Sequence, residues 1–438
     1  MDNQRVKIIL FIHILAFLWV PIVVSNLNLI KEKPLHGYIT QYHKIPFALE
    51  NWFTEKYQQN FEQHNNQNFG FRNTLLRIHN QWQYSLFNST TASAMIVGKN
   101  EYLYGDNYVY AYTGENFVGY DSIMSQSIKI KKLQDTLLTK GIDFLIAFAP
   151  GKGTFMPEYI PDKYLAKHYE TTNLKAFVST FNKLNITHIN FSDWFDKMKP
   201  TAKYPLYPQA GWHWSNYGQY LTMDSILHYM EALKKVDMPN IILDSLIVGN
   251  YNTEREYDGG HLMNLYDTLP TYAMAQPYFH FDTLHKTKIK TLVIGDSYYD
   301  EMWAGGLSFN AFDNGNFWYY NRDIYDNNPN GIKDRKLLNI KQEIEKNKFI
   351  LLMPTNANIY KLGFGFIEEA YEAYFNPNYE LNQIKKERIN KIVKTIKTTP
   401  SWLAAIEQQA VRENISLDKA IQNNAEYVLK EENKKTVK

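Results

Sequence analysis

From about residue 125 onward, short apolar runs alternate with longer amphipathic stretches, and each of the four clearest runs ends in polar or turn residues. They are Asp143–Pro150 (DFLIAFAP), Thr187–Trp194 (THINFSDW), Lys290–Ser297 (KTLVIGDS) and Lys348–Asn356 (KFILLMPTN). Segments such as SIMSQSIKIKKLQDTLLTKG and DRKLLNIKQEIEKN lie between some of them and repeat apolar residues at helical spacing. Continuous apolar strands alternating with helices predict an α/β fold, a parallel sheet covered on both faces. In such sheets the working residues collect beyond the carboxyl ends of the strands.

The remaining chain frames this unit. Residues 31–125 read as leading helices rich in Asn and Gln, interrupted at Gly70, and then a short hairpin, Met95–Gly105, around Gly98. The sheet domain is expected over residues 126–380, and residues 381–438 form a helical tail. Within the tail two amphipathic helices are separated near Asn414, with Ser416 capping the second; Lys419 at N3 leaves the capping box incomplete. Residues 1–30 differ in kind: Arg5 and Lys7 precede an apolar run, Ile8–Val24, and no small-residue cleavage site follows. The reading is an uncleaved signal anchor, with a cleaved signal peptide as the alternative; either exports the rest of the chain.

Charge and composition narrow the chemistry. Over 438 residues the formal net charge is +2, which offers no electrostatic footprint for nucleic acid. The absence of cysteine removes disulfides, thiolate catalysis and Cys-ligated zinc, and no His and acidic cluster has metal-ligand spacing, so neither a metal nor a cofactor is expected. The 33 Tyr, 25 Phe and 9 Trp suit sugar-binding surfaces as well as cores.

Two short stretches carry candidate catalytic residues. In TLVIGDSYYDEMW a buried strand runs into Gly295, Asp296 and Ser297, placing a hydroxyl at the mouth of the sheet where backbone N–H groups can stabilise an oxyanion. The bland alternative is a helix cap. In PQAGWHWSNYGQYL, His213 stands between Trp212 and Trp214. Serine needs a base near neutral pH, and an imidazole has the fitting pKa, although a histidine among aromatics is often structural. Asn356 and Asn358 follow a strand where a side-chain amide donor is wanted, or where an Asx turn closes it. Tyr319, Tyr320 and Arg322 in FWYYNRDIY are candidates for binding an acyl or sugar oxygen, or for packing at a surface.

Taken together, VGKNEYLYG, LIAFAPGKGTFMPEYIPDKY, YPQAGWHWSNYGQYLTMDSIL, LVIGDSYYDEMW and FILLMPTNANIYKLGFGFIEEAY resemble the SGNH-hydrolase-like proteins of the alginate O-acetyltransferase type, the AlgJ/AlgX group and its DHHW relatives. The resemblance spans roughly residues 45–375. It implies a flavodoxin-like parallel sheet, His213 as catalytic base in a D-x-H-W motif, and Ser297 as nucleophile. It also implies Lys152 lining the pocket, after the first core strand. The motif's acid would fall at position 211, where this chain has Gly211. Asp258 and Asp193 are possible substitutes, and a backbone carbonyl is another. Asp258 and His261 in DGGH keep a D-x-x-H spacing, but His261 ranks below His213.

The function implied is an exported serine O-acetyltransferase or acetylesterase acting on an extracellular polysaccharide through an acyl-enzyme. It would be held at the inner membrane facing the periplasm. Transfer further implies a membrane acyltransferase partner of the MBOAT type, because acetyl-CoA does not cross membranes. The alternative is a non-catalytic polysaccharide-binding or assembly subunit that has lost the acid.

Overall fold

Most of the apolar runs become strands of one sheet. The computed structural model describes residues 3–436 apart from 28, 167, 168, 170, 251, 252, 254, 314, 315 and 327–333. Its strands are β1 (Met95–Val97), β2 (Leu103–Gly105), β3 (Asp143–Phe148), β4 (His188–Asn190), β5 (Asn240–Gly249), β6 (Met274–Asp282), β7 (Thr291–Gly295), β8 (Phe317–Tyr319), β9 (Asp323–Tyr325) and β10 (Phe349–Met353). Six of them form the sheet β4-β3-β10-β7-β8-β9, parallel throughout except for the β8–β9 edge hairpin. β10 is central, with Leu351 opposite Leu145 on one side and Val293 on the other.

The period of two along β10 divides the core between the two faces. Phe349, Leu351 and Met353 pack with the helices Asn216–Lys234 and Ser297–Ala304, whereas Ile350 and Leu352 pack with Tyr120–Thr139, Asn173–Leu184 and Phe366–Phe375. All five β10 residues are buried, which is why the strand reads as an unbroken apolar run. The fold is therefore an α/β arrangement, a mostly parallel sheet between helical layers.

Several elements differ from the sequence reading. Thr187–Trp194 is not one strand, because Asn190 accepts from the N–H groups of Ser192 and Asp193 and starts the helix Phe191–Met198. β8 and β9 were not anticipated, nor was the long antiparallel ribbon of β5 and β6. In the tail, Pro400–Glu413 and Leu417–Thr436 flank Asn414, and the Ser416 hydroxyl accepts from Lys419 N–H. A third helix, Tyr379–Thr398, joins them around Ile396, Ile406, Ala420 and Ile421. The 95–105 hairpin is present, and Gly70 falls between the helices Lys56–Gln67 and Arg72–Phe87. The helix Asn3–Leu27 is long and apolar enough to cross a membrane and leaves most of its surface exposed.

The central position of β10 gives a stability test. Leu351→Ala, at a fully buried site, should lower the unfolding free energy by about 2–5 kcal/mol in urea titrations. Leu381→Ala, on an exposed face of the tail, should change it by less than about 0.5 kcal/mol.

Candidate active site

The site is built at the carboxyl ends of β7 and β10. β7 ends at Gly295, and Asp296 turns the chain into the helix Ser297–Ala304, its Oδ1 accepting from Tyr298 N–H at 3.2 Å. The other oxygen of this fully buried carboxylate accepts from Thr355 N–H, the Thr355 hydroxyl and the Asn358 amide, each at 2.8 Å. Those bonds tie the two strand ends together and fix Ser297 at the first position of its helix. Burial raises the Asp296 pKa, and the four donors pull in the opposite direction.

His213 reaches Ser297 from the loop before the helix Asn216–Lys234, which Ser215 caps by accepting from Gly218 N–H. The imidazole Nε2 is 2.9 Å from Ser297 Oγ, and Nδ1 is 2.6 Å from Asp258 Oδ2. Asp258 Oδ1 accepts from the backbone N–H of Trp212 at 3.0 Å and of Gly259 at 2.7 Å. Serine, imidazole and carboxylate thus form one hydrogen-bonded chain, although Asp258 lies 45 residues after His213.

Gly211 leaves room for that carboxylate. A Cβ at this position would stand 2.8 Å from the Glu256 carbonyl oxygen and 3.0 Å from Asp258 Oδ1. Asp193, the other substitute considered, is exposed on the helix Phe191–Met198. His261 stacks on His36 at 4.5 Å in a separate cavity that Lys33 and Arg77 also line.

The flanking tryptophans hold this arrangement in different ways. The Trp212 carbonyl accepts from the Tyr298 hydroxyl at 3.1 Å. Trp214 is buried between Tyr298 and Phe195, and its indole N–H donates to Glu301 Oε2 at 2.9 Å. The other Glu301 oxygen is 3.8 Å from His213 Nδ1. Burial alone would lower the imidazole pKa, but Glu301, Asp258 and Asp296 together outweigh it and raise it to about 9. For Glu301 burial dominates, raising its pKa to about 7 against the opposing charges of His213 and Arg255.

The other candidates divide. Lys152 does not line an open pocket: it is fully buried, and its ammonium donates to the carbonyls of Gln209 at 2.7 Å and Gly211 at 2.5 Å, bracing the His213 loop. Burial holds its pKa well below the usual lysine range, partly offset by Asp258. The Asn356 amide donates to Thr154 Oγ1 at 2.5 Å, and the Asn358 amide is spent on Asp296 and Thr355. Both therefore brace the loops after β3, β7 and β10. Gly295 is a close-packing position, where a Cβ would meet Tyr299 at 2.9 Å and the Met353 carbonyl at 3.1 Å.

Tyr319 packs against Phe317 and Tyr325. Arg322 pairs with Asp323 and lines an open cleft of about 570 Å³ together with Tyr320. Tyr320 and Asn321, at φ 50° and 52°, form the left-handed centre of the β8–β9 turn. Tyr320 N–H donates to the Gly295 carbonyl at 2.8 Å, and its phenol lies beside Ser297 and Asn358. Sequence reasoning missed Glu301; its signals are the i+4 spacing from Ser297 and a buried indole N–H in need of an acceptor. Among the described residues no group of His, Asp or Glu is arranged to hold a metal.

Residues 95–298 match the family described as ALGX, SGNH hydrolase-like domain, acetyltransferase AlgX. Among solved structures, the O-acetyltransferase domain of Pseudomonas putida AlgJ aligns at 12% identity over 64% of this chain and 99% of that chain, with a TM-score of 0.40. Pseudomonas aeruginosa AlgX aligns at 14% identity over 63% and 67%, with a TM-score of 0.40. Bacillus cereus PatB1 aligns at 13% identity over 61% and 99%, with a TM-score of 0.36. No curated protein matches the chain.

Two outcomes are expected of the resting protein. Gly211→Asp places a second carboxylate against Asp258 and a Cβ against backbone, and should lower the unfolding free energy by about 1–3 kcal/mol. Because the folded His213 pKa lies above the free value of 6.5, its protonation contributes stability that is complete below pH 6.5 and lost as pH rises through about 9. Glu301, raised from 4.5 to about 7, acts with the same sign between those two values. The stability gap between wild type and His213→Gln, read by urea unfolding, should therefore shrink as pH rises from about 6.5 to about 9 and level off above that.

Proposed function

We propose that this chain is a serine O-acetyltransferase acting on a polysaccharide outside the cytoplasm, a reading supported by the match of residues 95–298 to the SGNH-hydrolase-like domain of acetyltransferase AlgX. The observation that carries the proposal is the chain of hydrogen bonds Ser297–His213–Asp258, at 2.9 and 2.6 Å. His213 Nε2 takes the hydroxyl proton as Ser297 Oγ attacks the acetyl carbonyl. Asp258 holds the Nδ1–H tautomer and stabilises the imidazolium that forms. The alkoxide of the donor leaves with the proton from Nε2, and a sugar hydroxyl then attacks the acetyl-enzyme by the reverse sequence of proton transfers.

In this reading the Ser297 N–H, at the start of the helix Ser297–Ala304, serves the oxyanion, with the Tyr320 phenol beside it. The hydrogen bond from His213 to Asp258, with no carboxylate at Gly211, supports the catalytic reading over a purely binding role. The helix Asn3–Leu27 anchors the chain to the inner membrane in this reading, and an MBOAT-type membrane acyltransferase delivers the acetyl group across it.

Turnover of a chromogenic acetyl ester checks the proposal. Ser297→Ala and His213→Ala should each lower it by about 10³-fold or more, and Asp258→Asn by about 10²–10⁴-fold. Equal rates in wild type and all variants would instead make the chain a polysaccharide-binding or assembly subunit. Loss confined to His261→Ala would transfer the base to that residue.

A further inference from the structure

We propose that Glu301 is a second orienting carboxylate for His213, shared with Asp258 and held in place by the Trp214 indole. The inference rests on the proposed Ser297–His213 pair. Glu301 lies one helical turn after Ser297, on the same face of the helix Ser297–Ala304. One oxygen stands 3.8 Å from His213 Nδ1, the atom that Asp258 also approaches, and the other accepts the Trp214 indole N–H at 2.9 Å. The side chain is nearly buried, so water screens its charge little. Gln219 Nε2 donates to the Glu301 carbonyl at 2.7 Å, which fixes the backbone from the helix Asn216–Lys234.

The imidazole therefore faces two carboxylates on its outer side and Ser297 on its inner side. Other charged or titratable groups turned toward the pair are Asp296 and Asp300 on either side of Ser297, Arg255 ahead of Asp258, Lys152 behind it and Tyr298 beneath the ring. Asp258 makes the close hydrogen bond and selects the tautomer. Glu301 acts through space: its negative charge favours the imidazolium, and so sets the pH at which His213 becomes free to accept the serine proton. It touches no reacting atom and is a positioning residue. The second tryptophan of WHW has a specific task in this arrangement, orienting Glu301 as well as filling the core.

The full-length chain and Glu301→Gln are compared for the rate at which a fluorophosphonate labels Ser297, read by intact mass across pH. Titration of ¹³C-labelled histidines, with His213 assigned from its own variant, is followed by NMR in the same proteins. Glu301→Gln retains an acceptor for the indole but removes the charge, so both the acid limb of labelling and the His213 titration should move down by about one pH unit. Glu301→Asp keeps the charge and should stay near the wild-type limb, which guards against a Glu301→Gln variant that folds poorly. A Glu301→Gln limb that coincides with wild type, or slowing equal at every pH, overturns the proposal in favour of packing alone. If wild type takes no label at Ser297, the serine reading itself falls, and the NMR titration still decides what Glu301 does to His213.

Discussion

The site depends on one carboxylate taking three donors. Asp258 binds the His213 ring, the Trp212 N–H and the Gly259 N–H, so the loop that carries His213 is fixed to the helix Asp258–Met263 rather than to its own sequence neighbours. Bonds of this kind, with an ionised acceptor and little access to water, are the stronger class. Lys152 braces the same loop from behind through the carbonyls of Gln209 and Gly211. With the loop held on two sides, Nε2 falls at hydrogen-bond distance from Ser297.

A second buried carboxylate performs the matching task on the sheet side. Asp296 bonds to Thr355 and Asn358, which ties the loop after β10 to the start of the serine helix. Asp258, Asp296 and Glu301 gather close to a single imidazole, and their combined field outweighs the cost of burying its charge. That field would favour the imidazolium of the proposed acyl-transfer step, and the same field delays its deprotonation in the resting protein. In the proposed reaction, a base tuned upward would therefore respond to pH through the residues around His213.

Much of this was legible in the sequence because strong local patterns and the site coincide. The runs leading into GDS and PTNAN are buried on both faces, so they read as strands and place Asp296, Ser297 and Asn358 at the sheet mouth. His213 emerged through its motif, and Asp258 was named as a substitute acid, though spacing gave no reason to choose it over Asp193. Proximity across 45 residues is a tertiary fact. Glu301 stayed hidden because an acid one turn into a helix looks like an ordinary surface residue. β8 and β9 have three residues each, too few to show a period, and the β5–β6 ribbon is interrupted by the helix that carries Asp258. Lys152 was placed by resemblance in the pocket, but burial put its charge against backbone carbonyls instead.

The central claim is that Ser297 carries the acetyl group between donor and acceptor. Peptide mapping of the full-length protein quenched in acid during turnover of an acetyl donor tests it most directly. The account predicts one acetyl group on the peptide containing Ser297, discharged on adding a sugar acceptor and absent in Ser297→Ala. Acetylation of the acceptor with no acetyl-Ser297 at any quench time, or an acetyl group that accumulates equally in Ser297→Ala, would contradict it.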